Sequence, residues 1–273
     1  MKLLIKYFKD EATQKSRRDE LSKYTKAMDA KCKAEYAATP LALTIVRKSH
    51  ALIATAWGYL RVGVGNTKVF FPTVNFESGL TCSSSGHCQY SYKNKRLYAA
   101  ANKKLPPRER KKGKPLCYAQ KLEGAFPDTM YVKAYQATVC ERIAKKATVE
   151  QQQEAAFSLT AAALALKGKY PFVRVSEVGD IGPVVAPFAH KVLSTMVDTG
   201  LRPYLYTKRA EAERVAMVTT GATVLVSDTD FVCVDSAADA AAQGLAVCPG
   251  ECGGPKHKCF RCPLGKITAV VGH

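Results

Sequence analysis

Residues 171–226 read PFVRVSEVGDIGPVVAPFAHKVLSTMVDTGLRPYLYTKRAEAERVAMVTTGATVLV, and this segment indicates the architecture of the protein. Short β-type runs alternate in it with segments of helical periodicity. The β-type runs are Phe172–Val175, Pro203–Tyr206 and Thr223–Val226, and the helical segments are Pro187–Val197 and Ala210–Val218. Gly200 and Gly221 each follow a helical segment, where a left-handed cap is expected. Strand–helix alternation with short connections predicts parallel βαβ units.

The same alternation continues on both sides of this segment. Towards the C-terminus lie another helical segment, Ser236–Gln243, and two β-type runs, Leu245–Val247 and Ile267–Val271. Upstream are a strand over residues 68–76 that is broken at Pro72 and two helices, Tyr131–Lys146 and Val149–Leu166. The β-type runs are nearly all apolar, as in strands that are covered on both faces. The pattern therefore favours an α/β fold, a complete or partial (β/α) TIM-like barrel, over an open doubly wound sheet.

The first 60 residues differ from the rest of the chain. Asp10–Ala30 contains many helix formers and few large apolar residues, which predicts an outer helix. Leu41–Tyr59 is compatible with a second helix, although parts of it are rich in β-formers. We therefore divide the chain into an N-terminal helical extension, residues 1–60, and a Cys-rich (β/α) barrel-like domain, residues 61–273.

The charge of the chain is strongly basic and uneven. Among 273 residues there are 41 Lys+Arg and 23 Asp+Glu, a net charge of +18, and most of the excess lies in the first 150 residues. The densest segment is 93–114, which predicts contact with nucleic acid or with an acidic redox partner. No apolar run reaches the ~20 residues of a membrane span, and the N-terminus does not resemble a signal peptide. We expect a cytoplasmic protein that does not contact a membrane.

Polar residues follow the three central β-type runs. Because the carboxyl ends of parallel strands meet at one edge of a sheet or barrel, we expect these residues to line a pocket that binds a cofactor or substrate. They are Glu177 and Asp180 after the first run, Lys208 after the second and Ser227 after the third. Polar residues at strand ends are also common as solvated loop or capping residues, so this prediction depends on the chemistry beside them.

Seven of the ten cysteines form an ordered set. Four have the spacing C-x3-C-x6-C-x2-C near the C-terminus, and three lie upstream: the two groups are Cys248, Cys252, Cys259 and Cys262, and Cys82, Cys88 and Cys117. Four converging thiolates bind zinc or an iron–sulfur cluster. Either each group holds its own centre, or four of the seven cysteines share one. The other three, Cys32, Cys140 and Cys233, are expected to be buried or free thiols.

The order of these motifs resembles the bacteriophage gene-product-88 family. The resemblance covers about residues 60–273 and is carried by Cys82, Cys88 and Cys117-Tyr-Ala, then Val-Gly-Asp at 178–180, Tyr206-Thr207-Lys208, Cys248-Pro249, Cys259-x2-Cys262 and a final β-run before His273. It implies a phage protein with a Cys-rich centre that acts in the cytoplasm of the infected bacterial host.

The chain is also distantly similar to the radical S-adenosylmethionine enzymes. A cysteine cluster that ends in Cys-Tyr-Ala precedes a parallel βα series with Gly-Asp and Tyr-Thr-Lys at strand ends. The resemblance implies a [4Fe–4S] cluster held by three cysteines, with one iron open to S-adenosylmethionine. The usual C-x3-C-x2-C motif is absent, because 5 and 28 residues separate Cys82, Cys88 and Cys117. We thus expect an iron–sulfur protein of electron transfer or radical-type redox chemistry; the alternative is a zinc-stabilised basic protein that binds nucleic acid.

Overall fold

The computed structural model describes six helices and ten strands in the ranges of the chain that it places. These ranges are 11–46, 49–64, 71–78, 82, 123, 126–168, 171–176, 180–207, 209, 211–226, 231–234, 237–242, 244, 246–247 and 268–271. The helices are α1 Glu11–Ala38, α2 Pro127–Lys146, α3 Val149–Leu166, α4 Ala186–Asp198, α5 Glu211–Val218 and α6 Ala237–Ala242. The strands are β1 Leu43–Val46, β2 His50–Thr55, β3 Gly58–Gly63, β4 Thr73–Val74, β5 Phe172–Val175, β6 Arg202–Thr207, β7 Thr223–Val226, β8 Phe231–Val234, β9 Ala246–Val247 and β10 Thr268–Val271.

Strands β1–β7 form one mixed sheet in which each strand lies beside its neighbour in sequence. β1 to β4 are joined by antiparallel pairing, whereas β4 to β7 are parallel. Helix α4 connects β5 to β6, and α5 connects β6 to β7. The parallel βαβ units that the sequence of residues 171–226 predicts are therefore confirmed.

The α/β class is confirmed, but the seven-stranded sheet is not closed. Among the described residues, β1 and β7 each pair along one side only. The last three strands form a separate parallel sheet in the order β8-β10-β9. A complete or partial barrel therefore stays a prediction. No helix in the described ranges is long and apolar enough to cross a membrane.

The segment that follows α1 forms strands rather than a second helix. Within Leu41–Tyr59 lie β1, β2 and the start of β3, and these strands belong to the same sheet as β4–β7. The turn between β2 and β3 requires Gly58, whose φ of +129° is rare for residues with a side chain. In the turn, Thr55 Oγ1 donates a hydrogen bond to the Gly58 carbonyl at 2.6 Å. The interpretation of this segment as a helix is wrong, because the β2–β3 turn and pairing between the strands stabilise a β-structure instead.

The two faces of the parallel strands differ in their side chains. Val173, Val175 and Leu205 are fully buried and belong to the same core as Val192, Leu193 and Met196 of α4. Side chains alternate between faces along a strand, and paired residues share a face. The opposite face therefore carries four half-buried residues of β5 and β6, which we call the aromatic face: Phe172, Arg174, Tyr204 and Tyr206.

Candidate functional site

Polar side chains gather where the parallel strands β4, β5 and β6 end. Because these strands run in the same direction, their carboxyl ends lie at the same edge of the sheet. All the polar side chains considered there are at least nine-tenths buried, which is unusual for residues that follow a strand. We call them the carboxyl-edge residues: Asn75, Glu77 and Ser78 after β4, Ser176 and Asp180 after β5, and Thr207 at the end of β6.

The best-defined contact of this edge joins Asp180 to Thr207. The hydroxyl of Thr207 donates to the carboxylate of Asp180, with Oγ1 lying 2.8 Å from Oδ1 and 3.0 Å from Oδ2. The backbone N–H of Ile181 donates to the same Oδ1 at 2.9 Å, and that of Arg209 donates to Thr207 Oγ1 at 3.0 Å. Asp180 is 5% exposed. A buried carboxylate is thus held in place between the ends of two neighbouring strands.

A cationic side chain, that of Arg209, follows Thr207 by two residues. The guanidinium of Arg209 is 7% exposed and forms an ion pair with Glu213, one turn into α5. Its backbone is tied to Thr207 by the hydrogen bond already described. The edge therefore combines a fixed carboxylate with a buried, paired guanidinium, an arrangement that can orient a polar ligand without large side-chain rearrangement.

Ser176 has a strained backbone. Its φ is +53°, in the left-handed region that residues with a side chain rarely adopt. Its N–H donates to the Val74 carbonyl at 2.8 Å, which holds it against the end of β4. Its hydroxyl is buried, and among the described residues it has no hydrogen-bond partner. Such backbone strain costs about 1–3 kcal/mol and is concentrated at functional sites.

The end of β4 contributes two buried polar residues, Glu77 and Ser78. Between them and the strand, Phe76 packs edge-on against Phe188 of α4, with ring centroids 6.0 Å apart. The thiol of Cys140 in α2 donates to the Asn75 carbonyl at 3.9 Å. Burial, with a smaller effect of the negative charge of Glu77, raises the pKa of Cys140 to about 12. Cys140 therefore stays a protonated, buried thiol.

The prediction of isolated buried thiols is confirmed for Cys140 and Cys32, both of which are free and buried. Cys32 donates to the Thr55 carbonyl at 3.4 Å, and burial raises its pKa. A raised pKa disfavours the thiolate that binds metal. These two cysteines are therefore poor metal ligands, in agreement with their exclusion from the ordered set of seven. Cys233 belongs to β8, and its side chain lies outside the described part of the structure.

Of the predicted site residues, the structure describes Asp180 and Cys82. Asp180 lies at the carboxyl edge, as the sequence predicts, and Cys82 is half-buried, eight residues beyond β4. The other predicted residues lie outside the described ranges: Glu177, Lys208, Ser227, Cys88, Cys117, Cys248, Cys252, Cys259 and Cys262. Within the described ranges no three His, Cys, Asp or Glu side chains form a metal-binding group. The metal centre stays a prediction.

The sequence prediction includes only Asp180 of the carboxyl-edge residues; it omits Asn75, Glu77, Ser78, Ser176 and Thr207, and also Arg174 and Arg209. A signal for Glu77 and Ser78 was present, because they directly follow the strand that is predicted over residues 68–76. Recognising them requires knowing that β4 is parallel to β5, which the sequence does not state. No signal marked Ser176, since its backbone strain is visible only in the structure.

An open cavity of about 410 Å³ lies elsewhere, between α1, the β2–β3 turn and α2. Arg142 donates to Asp29 Oδ1 at 2.8 Å and to the Trp57 carbonyl at 3.1 Å, and Tyr135 donates to the same carboxylate oxygen at 3.1 Å. These bonds connect the two helices to the turn. None of the carboxyl-edge residues lines this cavity. Because Asp29 and Arg142 pair with each other and join the helices to the turn, we assign the cavity a role in stability.

Comparison with other proteins assigns no function to these residues. The chain matches none of the protein-family models, curated proteins or solved structures with which it was compared. The resemblance to the gene-product-88 family and to radical S-adenosylmethionine enzymes therefore stays a prediction from the order of motifs. The function has to be argued from the residues of this chain.

Proposed function

We propose that this protein is an iron–sulfur protein of the bacteriophage gene-product-88 family, which acts in the cytoplasm of the infected bacterial host. Four of seven cysteines would hold a [4Fe–4S] cluster: Cys82, Cys88, Cys117, Cys248, Cys252, Cys259 and Cys262. The observation that supports the proposal is the fixed Asp180–Thr207 contact at the carboxyl edge, the place where a parallel α/β sheet binds its ligands. Cys82 follows β4, one of the strands that end at this edge, by eight residues in sequence.

The donor chemistry of the described residues fits such a cluster. Cys82 is half-buried, whereas the two deeply buried thiols, Cys32 and Cys140, have raised pKa values. Soft thiolates are the ligands that iron–sulfur clusters use. A bound cluster supplies one-electron chemistry, either as a carrier or in radical-type reactions with S-adenosylmethionine.

The protein's own part in this proposal is to bind and orient. Asp180 is fixed by Thr207 and offers a carboxylate beside the cluster or substrate. Three further predicted residues would complete the lining: Glu177, Lys208 and Ser227. Polar groups of this kind tune the potential of a cluster or hold a substrate against it. The four parallel strands β4–β7 would be one arc of a partial (β/α) barrel whose mouth is this edge.

The decisive experiment is the metal content of the full chain purified without oxygen. We expect a brown protein with absorbance near ~400 nm that contains iron and sulfide. Serine substitution of each of the seven cysteines should abolish iron binding at the four that are ligands. Cys32→Ala is the matched control and should keep its iron. A colourless protein that contains zinc refutes the cluster. If iron is present, cleavage of S-adenosylmethionine with a reductant distinguishes an enzyme from a carrier.

A zinc-stabilised protein that binds nucleic acid is the second candidate, and the charge of the sheet favours it. The seven strands β1–β7 contain three arginines, Arg61, Arg174 and Arg202, and no acidic residue. Segment 93–114 adds ten basic residues and could bind nucleic acid or an acidic redox partner. Charge reversal across residues 103–114 should abolish salt-dependent retention on DNA. Unchanged retention excludes this segment as the contact.

A further inference from the structure

Arg174 occupies a central position on the aromatic face. In the register of the sheet it lies between Thr73 of β4 and Tyr204 of β6. Its guanidinium carbon is 4.1 Å from the centre of the Tyr206 ring and 5.4 Å from that of Tyr204. These cation–π contacts restrain the guanidinium beside the two rings without using its N–H donors in hydrogen bonds to them.

Among the described residues, the side chain of Arg174 has no counter-charge. Its backbone N–H donates to the Pro72 carbonyl at 2.8 Å, but in the described part of the chain its side chain forms neither a hydrogen bond nor an ion pair, and its buried Nε has no acceptor. A buried donor without a partner is unfavourable, and a carboxylate or phosphate is the acceptor that a guanidinium binds best. The contacts with the two tyrosine rings provide no acceptor for the Nε–H.

A second unpaired donor lies close by. Ser176 follows Arg174 by two residues, a separation of about 7 Å along an extended strand. The residue is 3% exposed, and its buried hydroxyl has no hydrogen-bond partner among the described residues. Its left-handed backbone, with φ of +53°, holds this hydroxyl at the end of β5. A buried guanidinium Nε and a buried hydroxyl, neither with an acceptor among the described residues, thus lie two residues apart at the end of β5.

We propose that Arg174 and Ser176 bind the oxyanion of a small molecule, a carboxylate or a phosphate. Both groups accept the paired N–H donors of a guanidinium. Three rings of the aromatic face lie beside Arg174: Phe172, Tyr204 and Tyr206. They would pack against the apolar or aromatic part of the same ligand. The strands contribute no acidic side chain that would compete for Arg174. This site goes beyond the proposed function and does not require the cluster.

The experiment measures the melting temperature of the full chain during titration with inorganic phosphate, and separately with acetate, at constant ionic strength. At ten times the Kd of the anion, the wild-type protein should melt about 3–6 °C higher. Arg174→Gln should lose this shift, and Ser176→Ala should weaken binding about tenfold. Arg202→Gln removes the same charge from an exposed position on β6 and should keep the shift.

The unliganded variant provides an independent readout. Because Arg174→Gln removes a half-buried charge that has no counter-charge among the described residues, its melting temperature without anion should equal or exceed that of the wild type. An anion shift that survives in Arg174→Gln, or the absence of a shift with both anions in the wild type, overturns the proposal. If Arg174→Gln does not fold, Arg174→Lys replaces it, and equal affinity of this variant overturns the proposal. Iron content is measured on every sample, so failure of the cluster and failure of the anion site are distinguishable.

Discussion

Replacement of Thr207 by valine tests whether the contact between Asp180 and Thr207 organises the carboxyl edge. Valine has nearly the shape of threonine but no hydroxyl. The change removes the bond from Thr207 Oγ1 to the carboxylate, 2.8 Å from Oδ1, and the bond that this oxygen accepts from the Arg209 N–H at 3.0 Å. Both side chains of the pair are at most 5% exposed, so bulk water does not replace the hydroxyl.

The expected loss of stability follows from these two bonds. A hydrogen bond to a charged group contributes about 1.5–3 kcal/mol, and a bond between neutral groups about 0.5–1.5 kcal/mol. The apolar contacts of residue 207 are retained by valine, so they add little. We expect Thr207→Val to lower the free energy of unfolding by about 2–4 kcal/mol.

Urea denaturation of the wild type and the variants measures this loss. Thr223→Val on the neighbouring strand β7 is the matched control, because it is the same chemical change at a half-buried position; its effect should stay within about 0.5 kcal/mol. Thr207→Ser keeps the hydroxyl and should retain most of the stability. A loss below about 1 kcal/mol in Thr207→Val, or one that Thr223→Val equals, would refute the assigned role of the contact.

Two further predictions concern stability away from this edge. Gly58→Ala should destabilise the protein by about 2–4 kcal/mol in urea denaturation. The new Cβ would lie 2.6 Å from Val139 Cγ2, and the φ of Gly58 is +129°. Gly168→Ala is the control and should be neutral, because a Cβ there has open space around it. Burial lowers the pKa of His190, so the unfolded chain binds the proton more readily than the folded chain. The protein therefore becomes less stable as the pH is lowered below the unfolded pKa of about 6.5. His190→Gln should show a shallower loss between pH 7 and 5; parallel curves would contradict this assignment.

The parallel half of the fold was predictable because its signals are local. Strand β5 spans the predicted Phe172–Val175, and α4 extends the predicted helix by one residue at each end. Each of these elements has its own periodicity and its own cap or turn residue. The Leu41–Tyr59 segment carried no comparable signal, because its strands are stabilised by pairing with each other and by contact with α1.

The candidate site was predictable only in part. Asp180 could be placed at the carboxyl edge because it follows a strand in a βαβ unit. The residues after such strands lie at one edge of the sheet, and the strand–helix alternation is visible in the sequence. The partner of Asp180, Thr207, is 27 residues away, and that contact depends on the register of β5 against β6. The lack of a counter-charge for the Arg174 side chain among the described residues was not predictable, because the partners of a strand arginine depend on which segments pack around it.

The amino-acid sequence by itself determined the α/β class, the parallel order of β5 to β7 and the strand ends that carry polar residues. These properties follow from periodicity and capping, which act over a few residues. Only the tertiary structure decided that Asp180 contacts Thr207, that Ser176 is strained and that the guanidinium of Arg174 lies over a tyrosine ring with no counter-charge among the described residues. Such features depend on burial and on contacts between distant segments, because the energy of a charge or a hydroxyl is set by what surrounds it.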